Sequence, residues 1–285
     1  MQVSGPAFRL CDSCLLGSVR HAPGAGEGGS FEDRAQQDMS NITSQERTLK
    51  KHLVALGLLA AFGSAQAIDL FNNGAAVAGT PAISVIRTGG TLFGAGAQGS
   101  TPNLVADNFA VGGPGWNVQS LSFFSYQSFA ASAYTFTGLN WSIVSGDVTT
   151  GVVVASGGGT LTNGGLQGYR VTPTTLTNTD RAIFRLNVDV TDFSLAAGNY
   201  WLRWGITGSL ASGPWQPPTA NGAFGNGQQS LSNAAFAGVV DAGDGLGVEF
   251  PFIIAGSVVP EPGTWALMIA GGLAVVGAAR RRQQC

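Results

Sequence analysis

The chain has 285 residues, with 43 glycines, 14 Lys or Arg and 16 Asp or Glu. Glycine is therefore about twice its usual frequency and charge under half of it, and a formal net charge of −2 leaves no basic footprint for nucleic acid or anionic lipid. A hydrophobic fraction of 44% is enough for a core, so the glycine excess reads as turns between short strands rather than a disordered linker.

Residues 1–51 balance six acids against six bases and carry two of the three cysteines, without an apolar period. The short apolar run Leu53–Phe62 follows Arg47, Lys50 and Lys51 and precedes Gly63-Ser64-Ala65-Gln66-Ala67. Positive flank, apolar stretch and small-residue site, in that order, are the layout of a secretory signal, with signal peptidase expected to cut after Ala67. Met39 supplies a start that confines the signal to residues 39–67, and residues 1–38 then read as a mis-assigned or disordered extension. Cys11-Asp12-Ser13-Cys14 has C-x-x-C spacing but neither a βαβ context nor a second ligand pair, so no metal or redox role is read from it.

Residues 68–257 form the body: nine acids against five arginines, a net charge of −4, and no lysine, histidine or cysteine. Three windows alternate with period two. Phe184, Leu186, Val188 and Val190 alternate with Arg185, Asn187 and Asp189; Leu139, Trp141 and Ile143 with Asn140 and Ser142; Val248, Phe250, Phe252 and Ile254 with Glu249 and Pro251. Such alternation buries one face and wets the other. Further strands are expected at Ile83–Thr88, Leu104–Phe109, Trp116–Tyr126, Val152–Ser156, Tyr169–Val171 and Asn199–Gly205. Turns are expected at Gly112-Gly113-Pro114-Gly115, Gly157-Gly158-Gly159 and Asn163-Gly164-Gly165. About nine short strands and no amphipathic helix predict an all-β, antiparallel β-sandwich of jelly-roll type for residues 68–257.

The missing side chains exclude much chemistry. Without histidine or cysteine the body cannot build a Ser-His-Asp triad, a cysteine nucleophile or a His/Cys zinc site. Without lysine, Walker A and Schiff-base mechanisms fall as well. No catalytic residue, metal site or cofactor is therefore expected, and the protein reads as a non-enzyme. Paired carboxylates remain the one enzymatic alternative, a glycosidase, but Glu249 is the single glutamate of the body and the aspartates read as turns or solvated faces; Asp189 and Asp192 fall on opposite faces of a continuing strand, which speaks against a joint metal role. Gly94-Ala95-Gly96-Ala97-Gln98-Gly99 fits G-x-G-x-x-G, yet Ser100-Thr101-Pro102 follows where a dinucleotide site needs a helix. Asp241-Ala242-Gly243-Asp244-Gly245 is read as a turn rather than a calcium loop, since it lacks the length and third ligand. Trp141 and Trp204 share faces with apolar neighbours and read as core, whereas Trp201 beside Arg203, and Trp215 among Gly213-Pro214-Trp215-Gln216-Pro217, are the candidates for glycan contact.

Residues 258–285 carry the most specific pattern. Pro260-Glu261-Pro262 is followed by an uncharged stretch from Thr264 to Ala279 and then by Arg280, Arg281 and Arg282, with Trp265 near the start. Sixteen helical residues reach roughly 24 Å, short of the ~30 Å hydrocarbon core, but the arginine cluster and Trp265 suit the two flanks of a single transmembrane helix. This tripartite tail resembles the PEP-CTERM sorting signal of Gram-negative exopolysaccharide producers. The resemblance implies recognition of Pro260, Glu261 and Pro262 by an exosortase, removal of the helix after transient anchoring in the inner membrane, and release or attachment at the cell surface; the export signal and the arginine cluster together place Cys285 on the cytoplasmic side before processing. The two sorting signals together with the missing catalytic side chains lead to the expectation of a structural or adhesive role in the exopolysaccharide or biofilm, with a carbohydrate-binding module that uses Trp201 or Trp215 as the alternative. Phe193–Leu202 is similar to a strand entry common in the sandwich bodies of PEP-CTERM proteins, with Tyr200, Leu202 and Trp204 on one face and Trp201 and Arg203 on the other.

Overall fold

A computed structural model describes residues 67–282 apart from Ala131, Asn221 and Ala223. The expected extension of residues 1–38, the signal peptide up to its last residue, Cys11, Cys14 and Cys285 lie outside the described residues.

Among the described residues, fourteen strands and one helix follow in chain order. They are β1 (Ile68–Asn72), β2 (Ile83–Val85), β3 (Ala95–Gly96), β4 (Leu104–Val111), β5 (Trp116–Ser125), β6 (Phe136–Ser145), β7 (Val152–Gly159) and β8 (Thr162–Val171). Then come β9 (Ala182–Leu195), β10 (Gly198–Gly208), β11 (Trp215–Gln216), β12 (Gln228–Ser230), β13 (Ala237–Gly238), β14 (Phe252–Val258) and the helix α1 (Pro262–Arg281). Sheet one has the order β1-β14-β5-β9-β8-β2, sheet two the order β13-β12-β4-β10-β6-β7, and β3 pairs with β11. Strand pairs are antiparallel except β2 with β8.

The pairing is nested. β1 pairs with β14, β4 with β10, β5 with β9 and β6 with β7, and successive pairs alternate between sheet one and sheet two. That wrapped order is the jelly-roll arrangement of two packed sheets. β8 and β2 extend sheet one, and β12 and β13 extend sheet two.

The alternating windows explain which face each strand turns inward. On β9, Phe184, Leu186, Val188 and Val190 are buried while Asp189 is exposed; on β6, Leu139, Trp141 and Ile143 are buried and Asn140 is exposed. Tyr200, Leu202, Trp204 and Ile206 of β10 do the same. The two faces meet at Trp204, which is 0% exposed. Its ring lies 5.3 Å from Phe123 of β5, 5.8 Å from Phe252 of β14 and 6.4 Å from Phe250, and its Nε1 donates to Gln216 Oε1 at 3.1 Å. The indole's one polar group is thus satisfied inside an otherwise apolar layer.

Several expectations are corrected. Gly157-Gly158-Gly159 is the end of β7 rather than a turn. Gly157 lies opposite Trp141 across the ladder, and a Cβ there would stand 3.0 Å from the indole ring. Asn163-Gly164-Gly165 lies inside β8, where Gly165 takes φ +92° and the register with β9 shifts twice; the glycine absorbs a bulge. Val248 and Phe250 are buried as their alternation predicts, but β14 begins only at Phe252. The preceding backbone is bonded elsewhere: Gly227 N donates to Val248 O, Thr219 N to Glu249 O, and Phe250 N to the Asp107 carboxyl.

The expected transmembrane helix is also corrected: among the described residues no helix is long and apolar enough to cross a membrane. α1 occupies the expected place, but nine of its 20 residues are glycine or alanine and its last two are arginine, which leaves a short and diluted apolar stretch.

Trp204→Ala should lower unfolding free energy by about 3–5 kcal/mol, the range for truncating a buried aromatic. Urea unfolding followed by far-UV circular dichroism measures it, and a wild-type midpoint would place the inter-sheet core elsewhere.

Candidate functional site

β14 lies between β1 and β5, so its backbone is bonded on both sides. Val258 pairs with Trp116, and Val259 N donates to Gly115 O at 3.0 Å. The ladder cannot continue, because Pro260 has no N–H to donate. Glu261 is extended, at φ −62° and ψ 145°, and stands at the helix N-cap without a side-chain capping bond. Pro262 then opens α1, where its fixed φ suits the first helical turn and its missing N–H costs nothing. Two prolines around one extended residue therefore separate strand from helix. Pro260 and Glu261 are exposed, so the backbone and the carboxylate are open to an enzyme that reads an extended peptide.

α1 is apolar on every side. Leu267, Met268, Ile269, Leu273 and Val275 are each more than half exposed, the pattern of a helix whose surroundings are apolar rather than aqueous. Arg280 and Arg281 lie in its last turn and Arg282 at its C-cap, all exposed; positive charge there also complements the helix dipole. The backbone of Trp265 is helical, but its side chain lies outside the described residues.

A family model described as the PEP-CTERM protein-sorting motif matches residues 258–283. The chain carries a PEP-CTERM sorting motif. The match starts at Val258, the last residue of β14, so the motif begins where the sandwich ends. No curated protein matches the chain.

The two tryptophans expected at a glycan surface are not brought together. Trp201 is half-buried on the outer face of sheet two, opposite Asn108 of β4 and Val144 of β6. Trp215 is half-buried against Phe124, Tyr126, Ile183 and Ile253, a second apolar cluster on the outer face of sheet one. Its Nε1 donates to Ser212 Oγ at 3.3 Å. Trp141 and Trp204 are buried, as their strand faces predict. Asp244 grips Arg87 with both oxygens, at 2.6 and 2.9 Å. Asp241 accepts from the backbone N–H groups of Thr91, Leu92 and Gly243. Burial pushes the Asp241 pKa up, but those N–H donors outweigh it and hold the carboxyl below its ordinary value. These oxygens are committed to the protein's own groups, in keeping with a turn. The Gly94–Gly99 segment is tied into β structure as well, with Ala97 N donating to Pro214 O and Gly99 N to Ile206 O.

One buried group escaped the sequence reading. Asp107 has the same parity on β4 as Val105 and Phe109 and points between the sheets, 0% exposed. Its oxygens accept from Phe250 N at 2.7 Å and Asn108 N at 2.8 Å. Burial first, and the neighbouring Glu249 second, raise its pKa from 3.8 to about 8. From about pH 4 to pH 8 the folded protein therefore keeps a proton that the unfolded chain has released, and stability falls as pH rises across that window. Asp107→Asn cannot titrate and should flatten the decline. Unfolding free energies from urea titrations at several pH values between 5 and 8 check it; an unchanged slope in the variant would assign the decline to other groups.

Proposed function

We propose that this is an exported, exosortase-sorted surface or extracellular-matrix protein of a Gram-negative bacterium. Its β-sandwich has a structural or adhesive role in the exopolysaccharide or biofilm rather than a catalytic one. The observation that carries the reading is the PEP-CTERM match on an exposed Pro260-Glu261 followed by Pro262 at the helix start, set between a strand bonded on both edges and an apolar, arginine-ended helix.

The motif implies export and transient anchoring through the tail. In this reading signal peptidase removes residues up to Ala67, and the inner membrane takes up the apolar surface of α1 until exosortase acts at the Pro-Glu-Pro segment. A helix diluted by glycine and alanine suits that temporary duty, since it holds the chain at the membrane less firmly than a full span does. The body's lack of lysine, histidine and cysteine supports a non-catalytic role.

Deleting Pro260–Pro262 in a host with an active exosortase should leave the tail uncut and the protein in the membrane fraction. Immunoblotting of membrane, surface and culture fractions reads the outcome. Processing and surface delivery equal to the intact chain would overturn sorting by this motif.

A further inference from the structure

Asp189 and Asp192, expected on opposite faces, line one groove. The cause is a bulge. β9 pairs Asp189 with Ser120 and Phe193 with Val118, so three residues of β9 face the single Gln119 of β5, and the reset turns both carboxylates the same way. The groove has a volume of about 370 Å³ and lies between this bulge and β7, lined also by Trp141, Ser156, Gly157 and Phe193.

Trp141 supplies a hydrogen-bond donor to the groove. It is 7% exposed and stacks on Phe193 with ring centroids 5.6 Å apart. Its Nε1–H donates to no acceptor among the described residues, unlike those of Trp204 and Trp215. The Nε1 edge of the ring faces Gly157, where an added Cβ would lie 3.1 Å from Nε1, so the absence of a side chain leaves this donor edge open on the groove side. Among the described residues, Asp189 and Asp192 have no cationic partner; Asp192 is touched only by Gln119 Nε2, at 3.4 Å.

We propose that this groove binds a neutral, hydroxyl-rich glycan segment, held by the Trp141 indole N–H as donor and by Asp189 and Asp192 as acceptors. The chemistry selects that class. Two carboxylates repel an anionic sugar, while a cation has no use for the indole donor. A sugar hydroxyl both donates and accepts, so a neutral chain offers partners to all three groups. The volume falls in the range of small-ligand sites. The inference rests on the matrix reading above and gives it a contact surface different from Trp201 and Trp215.

Full-length protein in mild detergent is titrated with cellohexaose, maltohexaose and, as the anionic control, hexagalacturonate, by calorimetry and intrinsic tryptophan fluorescence. At least one neutral hexasaccharide should bind in the millimolar range or better, and hexagalacturonate at least about tenfold more weakly. Asp189→Asn with Asp192→Asn, on the exposed rim, should weaken binding by at least about tenfold at an unchanged melting temperature. Trp141→Phe keeps a ring against Phe193 and loses the donor, and should weaken it several-fold; Trp201→Ala should not change it. Wild-type affinity in the double aspartate variant, or no binding of either neutral hexasaccharide, overturns the groove. If that happens while the protein still cofractionates with extracellular polysaccharide, the matrix reading stands; if cofractionation is absent too, that reading falls with it.

Discussion

The contact of Trp204 with Phe123, Phe250 and Phe252 is the constraint on which the remaining features depend. It is the place where β10 of sheet two meets β5 and β14 of sheet one, with no polar group left unsatisfied. Burying such large side chains supplies the main favourable term in folding, and the described body contains no cysteine to add a covalent tie. Holding Phe252 holds β14 between β1 and β5. Holding Phe250 brings its N–H to the Asp107 carboxyl, so that the one buried acid pointing between the sheets has donors for both oxygens.

From that lock follows the character of the tail. A strand bonded on two edges is the least mobile kind of element in a sheet, and here it is also the last one before the sorting motif. The change from bonded to open takes place over a few residues because proline removes the donor the ladder needs. Beyond it, a helix that is apolar on every face has nothing in water to pack against. The body and the tail thus differ in how they treat apolar surface: the sandwich turns its large side chains inward, and the helix leaves its own exposed.

Legibility in the sequence followed the range of the interactions. The strands β6, β9 and β10 were readable because alternation is local and each inward face is uniformly apolar. The two- and three-residue strands β3, β11, β12 and β13 were not, because they exist only through partners far along the chain. Glycine misled for the same reason. Gly157 faces the Trp141 ring and Gly165 sits in a bulge, and neither role is visible without the opposing strand. Pro260-Glu261-Pro262 was legible, since its chemistry is contained in three residues. The groove was not: alternation sends Asp189 and Asp192 to opposite faces, and only the register shift against β5 brings them together. The dilution of α1 by glycine and alanine was present in its composition, but the uncharged length and the arginine flank pointed to a span.

The central claim is that the folded body ends at Val259 and that the sorting motif stands open immediately after it. Residue-resolved hydrogen exchange measures this directly. The amide of Val259, bonded to Gly115 O, should exchange with the slow core, whereas those of Glu261 and Gly263, one extended and one among the unpaired first N–H groups of a helix, should exchange near the open-chain rate. Protection continuing from Val259 through Gly263 would contradict the account, because the motif would then be part of the sandwich and closed to any processing enzyme.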